Sequence, residues 1–315
     1  MAKNNRWGNK KVYLRDWKKV NESYVQKATF YLEFDWVKSW SSELSAMNKN
    51  KRGAPFVFPN SLIKLQAVWL NFFSYRGAEG IARKLADLKL IPEYNDYSTI
   101  HKRVIDLVLD LPKPKSKEIS VSCDGSGIKM NMRGEYFHEK YADGERKKFI
   151  KVVISADPFS KDIFEVDVSL EGEGKSEPEI AEIQMKKLID DGNKINKFFG
   201  DGSFPTHKLF DFCDLHKIET AIKIGKTANP EIEGSWKRSI EVKKYKELGY
   251  KKWAEQKEYG RRWTGTEGIF SSVKKIYDER VRAHKISNMC LEAKRKFWSY
   301  QIIKRYAEEK TEKIQ

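Results

Sequence analysis

Three carboxylates stand in surroundings that suit chemistry. SCDGSGIK carries Asp124, FFGDGSFPT carries Asp201 between two glycines, and YGRRWTGTEGIFSSVKKIYDERVRA carries Glu267. Asp124 and Asp201 are each followed by Gly-Ser, and each comes at the end of a run that reads as a strand. Alone, an Asp-Gly pair is a common turn, because it takes φ > 0 cheaply. Two acids at strand ends of one α/β sheet, however, converge on one edge, where ligands gather outside the strand termini. A third acid completes an oxygen set for a hard divalent cation such as Mg²⁺, which keeps open positions for substrate phosphates. Glu267 is the candidate: with Phe270, Lys274 and Tyr277 it recurs at spacings of three, four and three, so the four share a helix face. An acid on such an apolar stripe is unusual, although the helix dipole also favours a first-turn Glu.

The elements that must position these acids read as a mixed α/β unit. ISVSCDGSG, KFIKVVISADP and DIFEVDVSL are three β-rich runs, followed by the helix EPEIAEIQMKKLIDDG, the strand INKFFGDGS, the helix THKLFDFCDLH and the strand TAIKIGK. Ahead of them, LPKPKSKE reads as a linker, and three helical stretches precede it: SLIKLQAVWLNFFSY, GAEGIARKLADL, and STIHKRVIDLVLDL with Ser98 as its N-cap. The three suit either a helix-turn-helix unit or an ordinary helical bundle. In the first case the last helix presents His101, Lys102 and Arg103 near its N-terminus, the end that meets base edges and phosphates. Residues 1–60 hold twelve Lys/Arg against five Asp/Glu, interleaved with Trp7, Tyr13, Trp17, Trp36 and Trp40. That mixture fits a phosphate-neutralising surface, and a solvated amphipathic helix gives much the same pattern. The expected organisation is a basic aromatic segment over 1–60, a helical DNA-binding domain over 61–112, a linker over 113–118, the α/β domain over 119–300 and a helical tail over 301–315.

Composition narrows the function. With 315 residues, 40% of them hydrophobic and 13% aromatic, the chain is a folded protein with a substantial core. Its formal net charge of +16 calls for a polyanionic partner. No apolar run reaches the roughly 18 residues of a membrane span, and the N-terminus lacks an apolar signal core, so a cytoplasmic, nucleoid-associated protein without a membrane partner is expected. The three cysteines form no C-x-x-C pair, and the grouping of His207, Cys213 and His216 reads as a packed helix rather than a metal site. Gly-Lys-Ser in SLEGEGKSEP mimics the tail of a phosphate-binding loop, but Ser169 stands where that motif needs Gly, so a turn before the next helix explains it.

The order and surroundings of Asp124, Asp201 and Glu267 resemble the DDE transposases of prokaryotic insertion sequences, most closely the family named after insertion sequence five. The stretches FPNSLIKLQAVWLNFFSYRGAEGIARKL and DYSTIHKRV are similar to that family's N-terminal DNA-binding region. Tyr259, Arg262, Glu267 and Lys274 match the residue types of its Tyr-x2-Arg-x3-Glu-x6-Lys signature, with four residues rather than three between Arg262 and Glu267. The resemblance implies an RNase H-like fold: a mixed five-stranded sheet with flanking helices, its first three strands antiparallel, preceded by a mostly helical DNA-binding region. It also implies that Asp124, Asp201 and Glu267 hold two Mg²⁺ or Mn²⁺ ions and catalyse cleavage at transposon ends and strand transfer into target DNA. Tyr259, Arg262 and Lys274, with His101, Lys102 and Arg103, are the expected DNA contacts. The expected partners are double-stranded DNA with terminal inverted repeats, target DNA and a second copy of the chain in the DNA complex. The alternatives are a DNA-binding regulator without catalysis and a metal-dependent nuclease or resolvase without strand transfer.

Overall fold

A computed structural model describes residues 16–130, 148–230 and 234–314. Trp7, Tyr13 and the basic residues ahead of Asp16 lie outside them. The chain divides into two compact units, one within Leu111–Ala293 and one formed by Arg15–Asp110 with Lys294–Gln315. Among the described residues no helix is long and apolar enough to cross a membrane.

The first unit is built on a mixed sheet. Its strands are β1 (Glu118–Met130), β2 (Phe149–Ala156), β3 (Ile163–Leu170), β4 (Lys194–Gly200), β5 (Glu219–Ile222) and the two-residue β6 (Arg280–Val281). The order is β3-β2-β1-β4-β5, with β6 paired to β1. The β1–β2 and β2–β3 pairs are antiparallel, and β1–β4 and β4–β5 are parallel, as an RNase H-like sheet requires. The sixth strand was not expected; two residues are too few to show a period in sequence.

Alternation along the strands assigns the two faces. Val121, Cys123 and Phe198 point into the main core, together with Ile180, Met185 and Leu188 of α6 (Glu177–Asp190) and Leu209, Phe210 and Cys213 of α7 (His207–Leu215). Phe199 and Ala221 face the other way, against Trp253 of α8 (Trp236–Gln256) and Tyr259. Gly249, at φ +68°, breaks α8 internally, a backbone conformation that glycine adopts without strain. Cys213 is buried, which pushes its thiol up to about 12, while His207 Nδ1 accepts the Ser235 N–H (3.0 Å) and His216 stacks on Phe212. Only Cys213 of the three is buried; His207 and His216 are exposed. The Gly-Lys-Ser stretch is a turn, with Gly172 and Gly174 both at positive φ, leading into α6.

The second unit contains α1 (Trp17–Thr29), α2 (Trp40–Asn48), α3 (Asn60–Trp69), α4 (Tyr75–Asp87) and α5 (Tyr97–Ile105). The end of α11 (Ile286–Ile314) joins them. The expected boundaries place residues up to 300 with the sheet and set 1–60 apart. The contacts instead group Lys294 onward with the N-terminal helices, since Ser299 Oγ bonds Asn71 Nδ2 (2.8 Å) and Trp298 Nε1 donates to the Asp110 carbonyl (2.9 Å). Asp96, not Ser98, caps α5, its carboxylate accepting the Ser98 and Thr99 N–H groups. Asp96 prevails over Ser98 because its carboxylate reaches two free amides at once. The helix then ends at Ile105 rather than running to Leu111. Several aromatic residues of the basic segment serve packing: Trp36 stacks on Trp40, and Phe30 meets Tyr306 edge-on.

Candidate active site

Topology brings the acids together. β1 pairs with β4 only over Glu118–Ser122, and with β6 only at Lys129 and Met130. Between those stretches the β1 edge is open, and Asp124 sits there, on the strand rather than at its end. Asp201 is the residue after β4, level with Asp124 in the parallel register that pairs Ser122 with Phe199. A strand whose edge changes partners leaves such a notch, and ligands collect at it. Glu267 opens α10 (Glu267–Tyr277), with only Thr266 between it and the end of the short helix α9 (Arg261–Gly265).

Arg262 is the centre of the cluster. Its guanidinium donates to Asp124 Oδ2 (2.9 Å) and to Glu267 Oε1 (3.2 Å), so one cation joins two of the three acids. The extra residue in the Arg-to-Glu spacing is absorbed where α9 gives way to α10, at Thr266, which leaves helical geometry (φ −122°, ψ −59°). Thr266 Oγ1 also reaches Asp124 Oδ2, at 3.3 Å. Gly265 fits there because an added β-carbon would lie 2.8 Å from the Pro158 backbone. Arg262 is 7% exposed, and its buried Nε has no hydrogen-bond partner.

Asp201 serves its turn as well as the cluster. Its Oδ1 accepts both the Ser203 N–H (2.8 Å) and the Ser203 hydroxyl (2.6 Å). Burial raises the Asp124 carboxyl above its ordinary range; Arg262 pulls it down, repulsion from Asp201 pushes it up, and the balance stays upward. Glu267 is raised too, again by burial first, with Arg262 opposing and Asp124 and Asp201 adding repulsion. Acids that disfavour each other's charge favour a cation among them.

Lys274 lies about two turns along the same helix face from Glu267 and donates to Ser126 Oγ (2.8 Å) in the β1 notch; partial burial lowers its pKa. Tyr259 is buried beneath Arg262, and a cavity of about 370 Å³ beside Asp201 is walled by Tyr250, Tyr259 and Trp263 with Lys223 and Arg262. The remaining candidates lie in the other unit. His101 packs edge-on against Tyr75 (5.0 Å) beside a cavity at the N-terminal ends of α4 and α5, and Lys102 is exposed. Arg103 is engaged internally, bonding the Phe58 carbonyl (3.0 Å) and Asn60 Oδ1 (2.7 Å) and stacking on Phe56.

Sequence reasoning missed Thr266, Ser203 and Glu177, the first residue of α6, whose carboxylate lies against Gly125. Nothing in EGKSEP marks Glu177; only the fold brings it to the notch. Among the described residues no group of three or more His, Cys, Asp or Glu stands as a ready metal cage. The donor chemistry nonetheless fits a hard divalent cation. The side chains are carboxylates, they repel one another, and the positive charge between two of them is Arg262.

Two family profiles, both described as Transposase DDE domain, match the chain, one over residues 26–133 and one over residues 115–302. No curated protein sequence matches it. Among solved structures it is similar to "Crystal structure of the Mos1 Strand Transfer Complex", at 9% identity and a TM-score of 0.24, over 70% of this chain and 78% of that one. A likeness that loose adds nothing about function. The profile over residues 115–302 spans more than half of the chain and takes in Asp124, Asp201, Arg262 and Glu267. The chain therefore belongs to the DDE transposases, a family that works with divalent metal ions.

Proposed function

We propose that this chain is the transposase of a prokaryotic insertion sequence of the insertion sequence five type, cutting DNA at transposon ends and joining the freed ends to target DNA. The observation that carries the reading is the meeting of Asp124 and Glu267 on one buried guanidinium, with Asp201 beside them at the notch in the β1 edge. Asp124, Asp201 and Glu267 would hold two Mg²⁺ or Mn²⁺ ions. Bound there, the ions supply Lewis-acid activation of water or a DNA 3′-hydroxyl and stabilisation of the leaving oxygen.

The chain's own residues do the rest. The three carboxylates stay in place through β1, the turn after β4 and the first turn of α10, rigid elements that fix their spacing. Arg262 keeps two of them from flying apart while no metal is bound, and its planar fork suits a DNA phosphate as well as a carboxylate. Lys274 offers a cation toward the phosphate at the cut, with Ser126 holding its ammonium. The helical N-terminal unit binds the inverted repeats, through His101 and Lys102 among others. Arg103 has the weaker claim because its donors are already engaged. Two chains bring the two ends into one complex.

A labelled duplex carrying the DNA that flanks this gene tests the reading, with Mg²⁺ present and absent. Metal-dependent 3′-hydroxyl ends together with joined products support a transposase. Ends without joined products indicate a nuclease or resolvase, and binding without cutting by an intact, metal-supplied protein indicates a regulator.

A further inference from the structure

We propose that Glu177 is a fourth carboxylate of the active site and holds metal together with Asp124 and Asp201. The inference rests on the reading of those acids as a metal set and extends it to a residue outside the family signature.

Glu177 is the first residue of α6, yet it does not make the helix cap. Ser176 is the N-cap, and its capping-box partner is Glu179, which accepts both the backbone N–H (2.9 Å) and the hydroxyl (2.7 Å) of Ser176. Glu177 is directed to the sheet instead. A β-carbon built on Gly125 would lie 2.4 Å from Glu177 Oε1 and 2.7 Å from its Cδ, so the carboxylate rests on the backbone of the residue after Asp124. Its other oxygen is 3.3 Å from Ser203 Oγ, the same hydroxyl that stands 2.6 Å from Asp201 Oδ1. Glu177 thus touches the immediate surroundings of both aspartates, and Gly125 is the residue that leaves room for it.

A first-turn Glu is favoured by the helix dipole, which accounts for the residue type but not for its placement. Set against Asp124 and Asp201, it carries a charge that burial and both aspartates disfavour, with Lys151 only partly offsetting them. The Lys151 ammonium donates to the Lys175 carbonyl, at 3.0 Å. The bonds of Arg262 go to Asp124 and Glu267. That guanidinium is more than nine-tenths buried with its Nε unpaired, so negative potential rather than a complete set of hydrogen bonds keeps it among the acids. One buried monocation faces Asp124, Asp201 and Glu267, and Glu177 adds a further negative charge beside the two aspartates, so acid is in excess there; a divalent ion with oxygen ligands is the species that answers it.

The test measures Mn²⁺ binding to the full-length protein without DNA, by titration calorimetry, so that the readout is independent of cutting. Glu177→Gln keeps the shape and removes the charge; it is expected to weaken Mn²⁺ binding by about tenfold or more, the scale seen when a group supporting a metal site is removed. Gly125→Ala leaves every acid in the sequence but drives the Glu177 carboxylate away, and should weaken binding similarly. Glu182→Gln, farther along α6, should bind as wild type does, and metal-free melting curves check that each variant is folded. If Glu177→Gln and Gly125→Ala bind within about twofold of wild type while Asp124→Asn and Asp201→Asn lose the metal, the proposal is overturned and the three-acid reading stands. If the aspartate variants also keep the metal, the three-acid reading fails and takes the proposal with it.

Discussion

Arg262 is the residue on which the site turns. It is nearly buried, and it pays out its donors to Asp124 and Glu267, side chains that are 13% and 35% exposed. Breaking such a pair strands a carboxylate in a poorly solvated place, which typically costs about 3 kcal/mol or more. Arg262→Gln is therefore expected to destabilise the metal-free protein by roughly that amount in urea titration, and added Mn²⁺ to recover part of the loss. Arg262→Lys keeps the charge but not the fork, so it should fall between the two. Unchanged stability in both variants would mean that the guanidinium is not the cluster's counter-ion. This pairing was hidden in the sequence by the four-residue gap before Glu267. Spacing counts residues along one helix, whereas the fold breaks the helix at Thr266.

At the scale of elements, the junction between α9 and α10 sets the reach of Arg262. Gly265→Ala would press a methyl group onto the Pro158 backbone, and a clash with backbone cannot be relieved by turning a side chain. The variant should lose about 1–3 kcal/mol by denaturant titration and lose cutting disproportionately, because α9 carries Arg262. Full activity at wild-type stability would remove the junction from the account. In the N-terminal unit, Glu33 accepts from Lys310 Nζ (2.8 Å) and Tyr306 Oη (2.7 Å), tying the end of α11 to the segment after α1. Lys310 and then Tyr306 lower its carboxyl from 4.5 to about 2. A lowered acid stabilises the fold above its ordinary range, and that stability fades as pH falls from near 4.5 toward 2. Protection of the amides at the end of α11, taken relative to the intrinsic exchange rate at each pH, should accordingly fall as pH drops through this window in wild type, while Glu33→Gln shows the lowered protection at every pH; the effect is below about 1 kcal/mol, since the pair is partly exposed. Most elements were legible because their periods and caps are local: three β-rich runs, then alternating helix and strand. The assignment of Lys294 onward to the N-terminal unit was not legible, because it depends on bonds such as Asn71 to Ser299, whose partners are remote in sequence.

For the whole molecule, the excess of Lys and Arg gives +16, and duplex DNA is the partner that such a charge suits. Binding should weaken steeply with salt, by roughly a hundredfold or more between 50 and 200 mM, and Asp201→Asn should share that slope because the notch contributes acid rather than base. A shallow slope in fluorescence anisotropy would argue against a phosphate-tracking surface. Asp124 and Asp201 stand out in the sequence as Asp-Gly-Ser after β-rich runs and Glu267 by its spacing to Lys274, whereas nothing marks Glu177, since the turn that delivers it looks like any Gly-rich connection. The central claim is that Asp124, Asp201 and Glu267 act as one unit. The most direct measurement is the single-turnover cleavage rate, in Mn²⁺, of Asp124→Asn, Asp201→Asn, Glu267→Gln and the Asp201→Asn/Glu267→Gln double variant, each with unaltered DNA binding. Residues that work as a unit are strongly non-additive, so each single change should remove about as much rate as the double change does. Losses that multiply in the double variant, or a single variant that still cuts at the wild-type rate, would contradict a shared site.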